Sequence, residues 1–264
     1  MYAFEYSRAK SVADASKAAS ADEEAKILAG GMTLIPTLKQ RLAKPTTLID
    51  LNGIADLVGI KRDGGNLVIG AMTRHSAVAR SKDVKEMIPA LAHLAELIGD
   101  PAVRNRGTIG GSIANHDPAA DYPAGCLGLG ATILTNKRKI AADDFFTGMF
   151  STALEDGEIV TAVSFPKPDK AAYMKFKNPA SRYAIVGVFV AKTGNQVRVA
   201  VTGAGAGVFR SMELEDALAK SFLPTAVEGI KISSDGLNSD IHASAEYRAH
   251  LITVMAKRAV VACG

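Results

Sequence analysis

Two glycine pairs carry the chemistry-bearing signal of this chain: "AGGMT", Ala29 to Thr33, and "TIGGSIANHDPAADYP", Thr108 to Pro123. Glycine lets consecutive backbone N–H groups point outward and lets a ligand come close to the main chain, and such a nest binds anions. In the second stretch the N–H groups of Thr108, Ile109, Gly110, Gly111 and Ser112 could cradle a phosphate. Ser112 and Asn115 would add side-chain bonds, and Asp121 could accept from a ribose hydroxyl, as acids do in dinucleotide sites. Each stretch also has a plain reading. Gly30-Gly31 and Gly110-Gly111 can be turns, and Asp117-Pro118 the N-cap and first residue of a helix. Taken together, two such loops rimmed by Ser or Thr can grip a pyrophosphate from both sides.

Other chemistries fit less well. There is no G-x-x-x-x-G-K-S/T phosphate loop. "GAGAGV", Gly203 to Val208, puts Val208 where a dinucleotide fingerprint needs its last glycine, and no acid lies about 20 residues on. Two cysteines, Cys126 and Cys263, are too few for the four thiolates of an iron–sulfur cluster. The five histidines (75, 93, 116, 242 and 250) show no metal-ligand spacing with either. His75 and His116 could be acid–base groups, but no paired acid or nucleophile accompanies them, so loop or supporting positions are expected. Asp117 and Asp121 are better explained by capping and ribose binding than as a catalytic carboxylate pair. Cys126 is expected to be a small buried apolar residue.

The elements that must position these residues follow from periodicity. The 264 residues are 48% hydrophobic and 22% charged, an ordinary globular mix with room for one large or several small domains. The net charge of +4 is mild and its lysines and arginines are dispersed, which speaks against nucleic-acid binding. Two thiols suit a reducing, cytoplasmic compartment, and no secretory signal or spanning segment is expected; nothing indicates membrane association. Helices are expected at 11–26, 33–42, 88–98, 212–220 and 244–262, the last with Tyr247, Leu251, Val254 and Met255 on one face. Strands are expected at 27–29, 46–51 and 66–71, then a hairpin turning at 136–138. A strand stopped by Pro166 and Pro168 follows, then a second hairpin turning at Gly194-Asn195. A domain boundary is placed near 169–173, and the whole reads as α+β with mixed sheets and peripheral helices.

"AGGMTLIP", "AMTRHSAV" and "VRNRGTIGGSIANHDPAADYP" together resemble the FAD-binding medium subunit of the molybdenum hydroxylases, of the carbon monoxide dehydrogenase type. The resemblance covers nearly the whole chain. It implies a vanillyl-alcohol-oxidase-type (PCMH-type) FAD-binding domain over 1–170, with α+β subdomains of about 1–55 and 56–170, and a compact α+β C-terminal domain over 171–264. It also implies noncovalent FAD, since no residue presents itself for a covalent link. The two pyrophosphate loops would be Ala29, Gly30, Gly31, Met32, Thr33 and Thr108, Ile109, Gly110, Gly111, Ser112. Asp121 would lie at the ribose, with Lys177 near the flavin ring and Tyr183 stacked on its face. Relatives often have Gln-Ser where this chain has Met32-Thr33; Thr33 keeps a hydroxyl, but Met32 cannot replace an amide. The implied function is electron transfer from a [2Fe–2S] small subunit through FAD to an external acceptor. The molybdopterin would sit on a large subunit, in a dimer of heterotrimers. A stand-alone FAD oxidase or reductase and a non-catalytic nucleotide-binding or assembly module are the alternatives.

Overall fold

Three sheets, each dictated by a different residue pattern, organise the molecule, a computed structural model that describes residues 1–264. The first is β1 (Glu5–Arg8), α1 (Val12–Ala21), β2 (Lys26–Leu28), α2 (Leu34–Lys39) and β3 (Thr47–Asp50), with strand order β1-β3-β2, all parallel. Ser11 starts α1 by accepting from the Asp14 N–H at 3.1 Å.

The second sheet begins with β4 (Ile60–Asp63) and β5 (Asn66–Gly70). A helical run follows: α3 (His75–Arg80), α4 (Lys82–Met87), α5 (Pro89–Glu96), α6 (Pro101–Arg104), α7 (Ile109–Asn115) and α8 (Tyr122–Leu129). Then come β6 (Thr132–Thr135), β7 (Lys139–Ala141), α9 (Ala142–Phe145), the small ribbon β8 (Phe146–Gly148) and β9 (Ser151–Thr152), and β10 (Val160–Pro166). Its order is β4-β5-β10-β6-β7, all antiparallel.

The third is a meander of β11 (Lys170–Lys177), β12 (Ala184–Thr193), β13 (Gln196–Thr202) and β14 (Phe209–Arg210), followed by α10 (Met212–Lys220) and α11 (Ala245–Ala262). No helix is long and apolar enough to cross a membrane.

Strand β12 explains how the last sheet joins the rest. Eight of its ten residues are buried, because both faces are covered. Val186, Val188 and Val190 face the core under α11, whereas Phe189 and Ala191 join the core of the central sheet. On that side α8 is wholly buried, and its glycines permit the approach: a methyl on Gly128 would sit 2.6 Å from the Phe189 ring. Arg198 of β13 then donates to the Leu127 carbonyl at 2.7 Å, satisfying the end of α8.

Several expectations change. The sheets are segregated into one parallel and several antiparallel rather than mixed. Asp117-Pro118 does not open a helix; Asp117 accepts from the Ala119 N–H at 2.9 Å in a tight turn, and α8 starts later, at Tyr122 with Pro123 in its first turn. Gly110-Gly111 is not a turn but the first turn of α7, capped by Thr108. In α11 the buried face is Leu251, Ile252, Met255, Ala256, Ala259 and Val260, while Tyr247 is exposed and meets Phe176 edge-on.

Glu158, which closes the central unit before β10, is anchored by charge. Its carboxylate accepts both arms of Arg138 at 3.0 Å, the Thr135 hydroxyl at 2.7 Å and the Glu155 N–H at 2.9 Å. Those bonds, Arg138 first, hold it at about 2, below the ordinary 4.5. A depressed carboxylate contributes stability that is complete above 4.5 and lost as pH falls toward 2. Urea titrations should therefore show about 2–3 kcal/mol lost across that window. Arg138→Leu should lower stability at neutral pH and flatten the acid limb.

Candidate cofactor-binding crevice

The two glycine stretches meet at a single crevice of about 640 Å³, within the range of small-molecule and cofactor sites. Ala29 to Thr33, Thr108, Gly110, Gly111, Ser112, Asn115, Asp121 and Tyr183 all line it. Two of the expected residues do not. Ile109 is fully buried in the central core, where its position in the first turn of α7 points it. Lys177 is exposed at the end of β11, outside the crevice wall.

The loops lie side by side rather than across a gap. A methyl on Gly30 would overlap the Arg106 carbonyl oxygen and lie 2.8 Å from the Gly107 Cα. One on Gly111 would reach within 3.4 Å of the Ala29 Cβ. The loops therefore leave no gap that a diphosphate could enter from both sides; only their common surface is open to the crevice.

Arg74 and Asn52 hold this seam. The Arg74 guanidinium donates to the Arg106 carbonyl of the second loop and to the Asn52 side chain. Asn52 in turn donates to the Ala29 carbonyl of the first at 2.9 Å. Neither residue stood out in the sequence, since Asn52 looks like an ordinary turn residue and Arg74 like a surface charge.

Donor availability separates the loops. The N–H groups of Gly30, Gly31, Met32 and Thr33 have no acceptor within the protein. They form one uninterrupted run on the crevice wall, with Gly31 held at φ +73°. In the second loop most donors are used internally. Ile109 N–H goes to the Thr73 carbonyl, Gly110 to Ala71, Gly111 to the Thr108 hydroxyl and Ser112 to the Thr108 carbonyl. Only the Thr108 N–H stays without an internal partner, beside the unpaired Ser112 and Asn115 side chains. The cradle expected over Thr108 to Ser112 therefore has most of its N–H groups already engaged inside the protein, whereas those of the first loop are unpaired. A run of unpaired donors on a crevice of this size fits the acceptor-rich diphosphate of FAD.

Asp121 borders the crevice, but its carboxylate is already engaged. It accepts from the Tyr173 hydroxyl at 2.5 Å and from Lys175 Nζ at 2.9 Å, and the Lys175 side chain is itself buried. Burial raises the Asp121 carboxyl while Lys175 and Tyr173 pull it down. Its first task is to pin β11 beneath the crevice, which replaces the expectation of a residue devoted to ribose.

His75 lies against Tyr122 with ring centroids 5.3 Å apart. Burial, then the charges of Arg74 and Arg104, push it down to about 4, so it is neutral at pH 7 and offers no counter-charge. His116 is tied on both sides, which fixes its ring orientation: its Nδ1 donates to the Ser151 carbonyl at 2.9 Å, and Nε2 accepts from the Val208 N–H at 3.4 Å. Both histidines are supporting residues. Cys126 is fully buried, and burial drives its thiol far above the ordinary value.

The seam yields two expected outcomes. Gly30→Ala drives a methyl into backbone and should cost about 1–3 kcal/mol together with most of the retained FAD, whereas Gly111→Ala should fold normally. Arg74→Ala should weaken FAD binding about tenfold and lower stability by about 1–3 kcal/mol, since it strips the Arg106 carbonyl and the Asn52 side chain of their donor. Thermal denaturation and FAD titration measure both.

The chain is similar to known proteins over nearly its whole length. Residues 2–168 match the family model described as FAD binding domain in molybdopterin dehydrogenase, and residues 171–262 match CO dehydrogenase flavoprotein C-terminal domain. The chain is 38% identical to the carbon monoxide dehydrogenase medium chain of Afipia carboxidovorans, covering 97% of this chain and 95% of that one. It is 34% identical to the nicotine 6-hydroxylase medium subunit of Paenarthrobacter nicotinovorans, covering 99% and 98%. A solved structure of reconstituted CO dehydrogenase from Oligotropha carboxidovorans superposes with a TM-score of 0.91 at 35% identity, covering 99% and 98%. The chain accordingly belongs to the FAD-binding medium subunits of the molybdenum hydroxylases, the family that includes the carbon monoxide dehydrogenase medium chains.

Proposed function

We propose that this chain is the electron-transferring flavoprotein of a multi-subunit molybdenum hydroxylase. It accepts electrons from a [2Fe–2S] small subunit and passes them through noncovalently bound FAD to an external acceptor, while a large subunit carries the molybdopterin. The observation that carries this reading is the unpaired donor run at Gly30 to Thr33 on the wall of the crevice. That run would hold the diphosphate, assisted by the Thr33 hydroxyl, the Thr108 N–H, Ser112 and Asn115. Asp121 would reach the ribose region only through whatever lone pairs Tyr173 and Lys175 leave open. Tyr183, 45% exposed on the crevice wall, would lie against a planar ring of the cofactor. FAD, when bound, supplies reversible electron uptake, and the protein orients it and excludes water.

Two further features favour a relay over a self-sufficient oxidase. His75, Asp121 and Glu158 on the crevice wall are buried, and the two carboxylates are held by Lys175 and Arg138. None is poised to exchange a proton with a substrate. The thiols of Cys126 and Cys263 belong to separate cores, so cluster chemistry falls to another chain. From the family resemblance we further infer a cytoplasmic location, a dimer of heterotrimers, and an FAD domain over 1–170 followed by a C-terminal domain over 171–264.

The test is reconstitution. The full chain loaded with FAD should not turn over a small organic substrate alone. Adding the iron–sulfur and molybdopterin subunits with their substrate should bleach its flavin absorbance. Turnover by the isolated chain would instead establish a stand-alone oxidase, and a chain that stays colourless in excess FAD would establish a non-catalytic module.

A further inference from the structure

The crevice rim is backbone-strained in a way that FAD binding by the glycine loops does not require. Only four non-glycine residues adopt left-handed backbone: Arg41, His116, Phe150 and Arg182. Phe150 and Arg182 both line the crevice, and His116 holds Phe150 in place. Phe150 is the most telling of them. It occupies the tip of the β8–β9 ribbon at φ +51°, where a glycine is the ordinary choice and a bulky side chain is a true outlier. Its side chain is not repaid by burial, because Phe150 is 57% exposed.

The surroundings hold this conformation from several directions. The Phe150 N–H donates to the His116 carbonyl at 3.1 Å. Beside it Ser151 accepts from the His116 ring, and the Thr147 and Ser151 hydroxyls pair at 2.9 Å. His116 is itself left-handed at φ +42° and ends α7, the helix that starts with the second glycine loop. The ribbon tip is thus fastened to the far end of the helix that shapes the cofactor wall. Strain that is over-determined by its neighbours, on an exposed aromatic at a ligand crevice, marks a residue kept for its ring.

We propose that Phe150 is a preset aromatic wall for bound FAD: the ribbon accepts an unfavourable backbone so that the ring packs against one of the cofactor's planar ring systems. Phe150 acts as a binding residue, paired with Tyr183 as the second exposed aromatic of the crevice. An aromatic face suits a planar heterocycle, and stacking of this kind strengthens binding severalfold to tenfold.

The experiment separates strain from binding by their opposite signs. Full-length wild type and the Phe150→Gly, Phe150→Ala and Phe150→Tyr variants are stripped of FAD, and each is measured for thermal midpoint and FAD Kd. Phe150→Gly should raise the apo midpoint by about 1–3 °C, because glycine relieves the left-handed strain, yet weaken FAD about tenfold. Phe150→Ala should weaken FAD equally without the gain in midpoint, and Phe150→Tyr should bind as wild type does. A Phe150→Gly chain that binds FAD like wild type would overturn the proposal. So would one whose apo midpoint falls, since the ring would then be serving the fold.

Discussion

Backbone-to-backbone contact between the two glycine loops is the constraint on which the site rests. Gly30 lies so close to the Arg106 carbonyl that no side chain fits between them. This proximity makes one wall out of segments more than seventy residues apart in the chain. It also decides which donors remain free. The second loop turns its N–H groups inward, to Ala71, Thr73 and Thr108, and becomes rigid. The first, pressed against it, keeps four consecutive donors facing an open crevice. An unpaired backbone donor is costly unless water or a ligand meets it, so the arrangement is matched to an acceptor-rich ligand.

The C-terminal sheet completes that wall from below. Thr202 donates to the Pro118 and Ala120 carbonyls at 3.0 and 2.7 Å, and the Gly203 N–H to Pro118 at 2.8 Å. Tyr173 and Lys175 converge on Asp121. Gly187 makes room for this, since a methyl there would press into the Tyr173 ring. The connector between α7 and α8, which carries Asp117 and Asp121, is therefore held by strands of the following unit. Removing one partner from a buried ion pair costs several kcal/mol, so the two units are coupled through the residues that border the cofactor.

Local patterns were legible where local physics dominates. The span of the last helix and the hairpin turn at Gly194 appear where the residue pattern places them. The Pro118 helix start was misplaced because Asp117-Pro118 forms an equally favourable turn. The short helices α3, α4 and α6 span only four to six residues, too few to carry a readable period. Ile109 is expected at the site as a backbone donor and Lys177 from the resemblance, but the Ile109 N–H is taken by the Thr73 carbonyl with its side chain buried, and strand geometry leaves Lys177 outside the crevice.

By itself the amino-acid sequence determined that two glycine stretches exist and that the chain resembles a flavin-binding subunit. Those are properties of residue type and short-range order. Which loop offers its N–H groups, that Arg74 and Asn52 clamp the seam, that Asp121 pairs with Lys175, and that Phe150 is strained at the rim were decided only in three dimensions. Each depends on where a distant backbone carbonyl or side chain comes to lie, and nothing in a residue's neighbours along the chain specifies that.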